Sequence, residues 1–131
     1  MLARKFVVVV IVMGFWVVGA VAAGSPSSYA EAEVAWQRSR DKPQYQAYAS
    51  KFAEFNNQHH LDEKDGCYAL SPGPVKLFLV ITHSQGGEFA LIERVLSNVD
   101  NSKSSCFKRT YEGLRTKVPP FLPFVLQMGM G

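Results

Sequence analysis

The sequence is poor in the patterns that announce chemistry. It has no GxSxG, HExxH or P-loop motif, the spacings that join a nucleophile to its base, two histidines to zinc, or backbone amides to a phosphate. His83 and Ser84 are neighbours that point apart on a strand or turn, and Gly86-Gly87 reads as a turn. Metal ligands are equally scarce. The acidic "DEKDG" at 62–66 lacks the alternating oxygen ligands of a calcium loop. His59 and His60, with Asp62, Glu63 and Asp65 nearby, sit on adjacent helical positions about 100 degrees apart and do not converge on one ion. Met128 and Met130 share a strand face that would suit a soft metal ion, yet as closing residues of an apolar strand they read as packing. These absences lead to a non-catalytic protein with no cofactor and no metal.

Cysteine is nearly missing too. Cys67 and Cys106 are the two in the chain, with no CxxC pair. An even count far apart in sequence points to a structural disulfide, which fits an oxidising compartment. Closing a loop of about 40 residues contributes roughly 4 kcal/mol in the chain-entropy picture, a large share of a small domain's stability.

A compartment is legible at the start of the chain. Arg4 and Lys5 precede an uncharged run from Phe6 that closes in small residues, Ala20-Val21-Ala22 or Val21-Ala22-Ala23, the layout of a secretory signal peptide over residues 1–23. The run from Phe6 to Ala23 is also at the lower limit for an uncleaved membrane anchor facing the periplasm. Either reading exports the remainder, as a periplasmic or secreted protein or an inner-membrane-anchored one. No cysteine stands directly after the run, which argues against a lipoprotein. The apparent basicity goes with the leader: without Arg4 and Lys5, 12 Lys and Arg face 11 Asp and Glu. Lys103, Lys108, Arg109, Arg115 and Lys117 form only a loosely basic region, and a nucleic-acid partner is not expected.

The exported part divides by period into a helical region, 24–66, and a strand-rich module, 67–131. Tyr29 to Ser39 has helix formers with Ser28 and Glu31 placed as a capping box. Pro43 then suits the first turn of a second helix, with Asp41 a candidate cap. Along that helix Tyr45, Tyr48, Phe52 and Phe55 recur at steps of 3, 4 and 3 and share one face. Such a stripe reads as core, or as a groove or partner-binding face. Lys51 and Glu54 fall elsewhere.

From Val75 the period changes to 2. Val75, Leu77, Leu79 and Ile81 share one strand face, and Lys76, Phe78, Val80 and Thr82 the other. Gly86-Gly87 suits a tight two-residue hairpin, and Glu88 to Leu96 returns as a second strand whose faces each carry one charge. Asp100 or Asn101 can cap a third helix. In it Phe107, Thr110, Tyr111 and Leu114 share one side, while Lys103, Lys108 and Glu112 face solvent. Gly113 weakens its last turn and Pro119-Pro120 ends it. Pro123 marks the start or edge of a last strand, Phe124 to Met130. The expected fold is therefore α+β: an N-terminal helical pair followed by a β-β-α-β module with a small antiparallel sheet and one disulfide.

This order resembles the C-terminal domain of TonB-type energy transducers. The corresponding text is Val75 to Thr82, Gly86-Gly87, Phe89 to Leu96, Ser97-Asn98, Ser102 to Leu114, Pro119-Pro120 and Phe124 to Met130. The likeness is architectural and covers about residues 75–131. That family carries a long Pro-rich periplasmic spacer, which this chain lacks. The resemblance thus implies a small exported domain that binds a protein partner in the cell envelope, not a working transducer.

The expected binding mode is strand addition at an exposed sheet edge. The terminal strand, with Phe124, Leu126 and Met128, has no charge between Phe121 and Gly131, an edge that soluble proteins usually blunt. A partner strand, a second copy of the chain, or the Tyr45, Tyr48, Phe52, Phe55 helix folding back would cover it. The alternatives are an inhibitor or effector-like protein whose helical half blocks a partner's site, or a membrane-anchored envelope assembly factor.

Overall fold

A computed structural model describes residues 25–83 and 87–131; the leader at 1–23 lies outside the described residues. Helix α1 (Tyr29–Ser39) begins where Ser28 accepts a hydrogen bond from the Glu31 backbone N–H at 3.2 Å. In return the Glu31 carboxylate accepts from the Ser27 backbone N–H at 3.2 Å and from its hydroxyl at 2.8 Å. Helix α2 (Pro43–His59) has Pro43 in its first turn, but its N-cap is Lys42 rather than Asp41, with no side-chain cap. Proline's fixed backbone sets the start there without one.

Strands β1 (Val75–His83), β2 (Ala90–Ser97), β3 (Arg115–Thr116) and β4 (Phe124–Met130) form one antiparallel sheet in the order β3-β2-β1-β4. Helix α3 (Ser102–Tyr111) crosses between β2 and β3. The fold is α+β, and the crossing helix and terminal strand follow the expected order, with one strand more than anticipated.

Both sheet faces are covered by helices. Val75, Leu77, Leu79 and Ile81 join Tyr45 and Phe52 of α2 and Phe107 and Tyr111 of α3 in the main core. On the opposite face Phe78, Val80 and Val125 pack against Ala32 of α1. Trp36 touches both clusters.

Two further expectations are corrected and one ambiguity is resolved. His83 pairs with Ala90, so β1 and β2 are joined by a six-residue connection rather than a two-residue turn at Gly86-Gly87; residues 84–86 lie outside the described ones. The charge on each face of β2 is explained by a bulge. Val80 opposes Arg94 while Ile81 opposes Ile92, leaving Glu93 as an extra residue. The extra residue shifts the alternation, so Ala90, Ile92 and Val95 all enter the core and Glu93 is exposed. Lys103 does not face solvent: it is 3% exposed, and its Nζ donates to the Gly73 carbonyl at 2.7 Å. The apolar stem lies in the interior while the ammonium finds an acceptor.

The caps of α3 are settled. Asn101, not Asp100, is the N-cap, in a reciprocal box with Ser104. The helix stops at Tyr111, short of Leu114, because Gly113 takes a left-handed φ of 84°, a conformation glycine adopts without steric cost. Cys67 and Cys106 form a disulfide with Cα atoms 5.5 Å apart, fastening the lead-in of β1 to α3.

Candidate functional site

Three of the four aromatic residues in the α2 stripe border an open cavity of the described surface. Tyr48, Phe52 and Phe55 line one side of a groove of about 860 Å³, with Phe89, Arg115 and Val118 among the residues opposite. The fourth, Tyr45, is buried and stacks on Phe124 with ring centroids 5.2 Å apart. Tyr48 meets the same Phe124 edge-on at 4.6 Å. The stripe is therefore divided: Tyr45 and Phe52 are core, while the half-buried Tyr48 and Phe55 show rings to the groove.

The far wall of the groove belongs to β3 and the residues after it. Thr116 stands opposite the buried Ala90 and Arg115 opposite Leu91. The Tyr48 hydroxyl donates to the Lys117 carbonyl at 2.6 Å and lies 3.0 Å from the Thr116 hydroxyl, whose hydrogen it accepts. Thr116 thus points toward α2, and strand alternation turns Arg115 away from it to the outer rim of the same groove. There its guanidinium lies 4.0 Å from the centroid of the Phe89 ring.

The two sheet edges differ in how their outward groups are used. On the outer side of β2, the Ile92 N–H donates to the Leu114 carbonyl at 3.0 Å, and its carbonyl accepts from the Gly113 N–H at 2.8 Å. The Val95 N–H donates to the Glu112 carboxylate at 3.0 Å. At the β4 edge the Gln127 N–H donates to the Tyr45 hydroxyl at 3.3 Å. By ladder alternation the backbone groups of Arg115 and Lys117 point away from β2. Among the described residues their N–H groups have no backbone partner.

The expected edge residues of β4 are placed mostly inward. Phe124 is fully buried and Leu126 is 3% exposed, both in the main core, and Met128 is half-buried against it. Their side chains belong to the protein's own interior, and only the stretch from Gln127 to Gly129 is accessible.

Away from the groove, a polar chain joins the helices. The Tyr111 hydroxyl donates to Asn56 Oδ1 at 2.5 Å, Asn56 Nδ2 donates to Asp62 at 3.3 Å, and the Tyr68 hydroxyl donates to Asp62 at 2.9 Å. Burial, reinforced by the Asp62 charge, raises the Tyr111 phenol well above its ordinary range. Burial and the Asp62 hydrogen bond push Tyr68 up to about 12. Both stay neutral donors at ordinary pH. Thr110 likewise donates to Asp65 at 2.6 Å, beside the disulfide. His59 packs its ring against Phe55 at 4.6 Å, while His60 takes the left-handed C-cap position. Among the described residues no group of three His, Cys, Asp or Glu is placed to hold a metal ion, and no helix is long and apolar enough to cross a membrane.

Sequence reasoning missed the β3 wall. Two residues carry no readable period, and Arg115 and Lys117 registered only as scattered basic positions. The one signal was extended-chain chemistry in "RTKVPP", where Thr116 and Val118 precede prolines that cannot continue α3. No family model, curated protein or solved structure matches this chain.

Proposed function

We propose that the protein is an exported, non-catalytic protein-binding module, TonB-like in its sheet and crossing helix, that takes an extended segment of an envelope partner by strand addition. The compartment rests on the leader pattern and on a disulfide whose two cysteines are 0% and 3% exposed, a pairing that persists where conditions are oxidising. The observation that carries the binding mode is the coincidence of two features at one place. The outward N–H groups of Arg115 and Lys117 lack backbone partners among the described residues, and they border the aromatic groove. Main-chain pairing supplies affinity in this mode, and pockets for alternate side chains supply selectivity.

The binding edge is β3 rather than β4, because Tyr45 occupies the central outward N–H of β4 and the β4 side chains are largely committed to the core. The test is selection from a displayed random-peptide library on the disulfide-intact protein purified after export, followed by amide exchange with and without the selected peptides. Slowed exchange at Arg115 and Lys117 is expected. Lys117→Pro removes one outward N–H while leaving the Ala90–Thr116 pairing in place. It should abolish capture with an unchanged melting temperature. Undiminished capture by a folded Lys117→Pro variant would place binding elsewhere.

A further inference from the structure

The same groove has a charge arrangement that selects among extended segments. It is lined by Lys51 and Glu54 from α2, Glu88, and Arg115 and Lys117 from the strand side. All five are exposed, and among the described residues none forms an ion pair. Unpaired charges around an aromatic floor leave the neutralising partner to the ligand. The cations dominate where a partner strand would lie. Arg115 and Lys117 flank Thr116 on the edge itself, and the guanidinium carbon of Arg115 lies 4.0 Å from the centroid of the Phe89 ring. A guanidinium that rests on an aromatic ring still carries N–H donors, and these can grip a carboxylate with two hydrogen bonds.

Resting on the β3-edge reading, we infer that the partner segment alternates acidic and apolar residues, its carboxylates meeting Arg115 and its apolar side chains entering the groove over Tyr48, Phe52 and Phe55. The alternation follows from strand geometry. Side chains of an added strand point to the two faces in turn. On the α2 face they meet Tyr48, which Thr116 contacts. On the other they meet Arg115, and opposite charges side by side on neighbouring strands attract. Glu54 and Glu88 also line the groove and oppose acid binding beside them, which keeps the acidic side chains at the Arg115 rim. A uniformly acidic or a basic segment would meet these carboxylates or the cationic edge, so charge at every position is penalised.

The experiment uses synthetic ten-residue peptides of alternating Glu and apolar residues (Val with a central Phe). The controls are an analogue with Gln for every Glu and an isomer of the same composition with its Glu residues in one block. Binding to the disulfide-intact protein is measured by fluorescence anisotropy in low and high salt, with amide exchange as a second readout. The alternating acidic peptide should bind about tenfold or more tightly than either control, as a charge-assisted contact implies. Arg115→Gln should erase that preference without unfolding the protein, whereas Glu54→Gln should strengthen acidic binding. If the Gln analogue binds equally, Arg115→Gln has no effect, and both peptides still slow exchange at Arg115 and Lys117, the acidic assignment falls and the β3-edge reading stands. If neither these peptides nor library-selected ones slow exchange there, both fall.

Discussion

Breaking the Cys67–Cys106 disulfide is the single covalent change with the largest expected effect on this fold. The two cysteines are separated by 39 positions, so the unfolded chain is closed into a loop of about 40 residues. The chain-entropy relation assigns that closure roughly 4 kcal/mol at 25 °C. A folded part of about a hundred residues unfolds with an entropy near 0.2 kcal/mol/K, so the loss corresponds to a fall in melting temperature of about 15–20 °C. The local environment does not offset it. Cys106 Sγ lies 3.8 Å from the Asp65 carbonyl and Cys67 Sγ 3.7 Å from the Thr110 hydroxyl. Serine at either place therefore finds a polar neighbour, and the lost cross-link dominates. The assay is calorimetry and urea unfolding of the oxidised protein beside the Cys67→Ser, Cys106→Ser double variant. Besides the lower melting temperature, the urea slope should rise, because an unfolded chain without the loop exposes more surface. A fall of less than about 5 °C with an unchanged slope would refute the reasoning, since it would mean the loop does not restrict the unfolded chain.

Two other outcomes test the interior. Leu126→Lys places a charge where the side chain is 3% exposed; it should destabilise the fold by more than about 3 kcal/mol by urea titration, and a stably folded variant would show that β4 is not core. Raising pH should weaken the fold from about 10 upward: the unfolded tyrosines ionise near 10, whereas burial holds the folded Tyr68 and Tyr111 neutral beyond that, Tyr68 to about 12. Stability from these groups is thus complete below 10 and lost as pH passes the folded values; Tyr111→Phe should reduce this loss in pH-dependent melting, and an identical pH profile would remove Tyr111 as a contributor.

The elements that could be read in advance were those with a strong local signal. Helix α1 was bounded by Ser28 and Glu31 together with the approach to Pro43, which put its end around Arg40 to Lys42; it spans Tyr29–Ser39 with Arg40 as its C-cap. Strand β1 was legible as a nearly continuous apolar run, because both of its faces are buried over most of its length, one in each core cluster. The terminal strand began where Pro123 said it would. What could not be read were events without periodicity. The Glu93 bulge makes β2 look undecided in the linear text, since one inserted residue exchanges the faces on either side of it. The burial of Lys103 depends on a carbonyl thirty residues earlier in the chain, which no local pattern encodes. The placement of α1 and α2 on opposite sheet faces is a tertiary matter, and so is the groove, whose walls come from α2 and β3.

The groove stays open because α2 is held at two separated places. Near its start Tyr45 and Tyr48 rest on Phe124, and near its end Asn56 receives the hydrogen bond from Tyr111 of α3. Phe52 enters the core between these anchors, but Lys51 and Glu54 remain exposed and Phe55 only half-buried. The β3 side is joined to α2 by the Tyr48 hydroxyl, which reaches Thr116 and Lys117. On the far side, α3 is fixed by the disulfide, the Thr110–Asp65 hydrogen bond and the Asn101–Ser104 box. A groove whose walls are each pinned to the same rigid core does not have to be formed by its ligand. On the proposed reading, a segment docking there would forfeit little ordering entropy, which would offset the brevity of main-chain pairing along a two-residue edge.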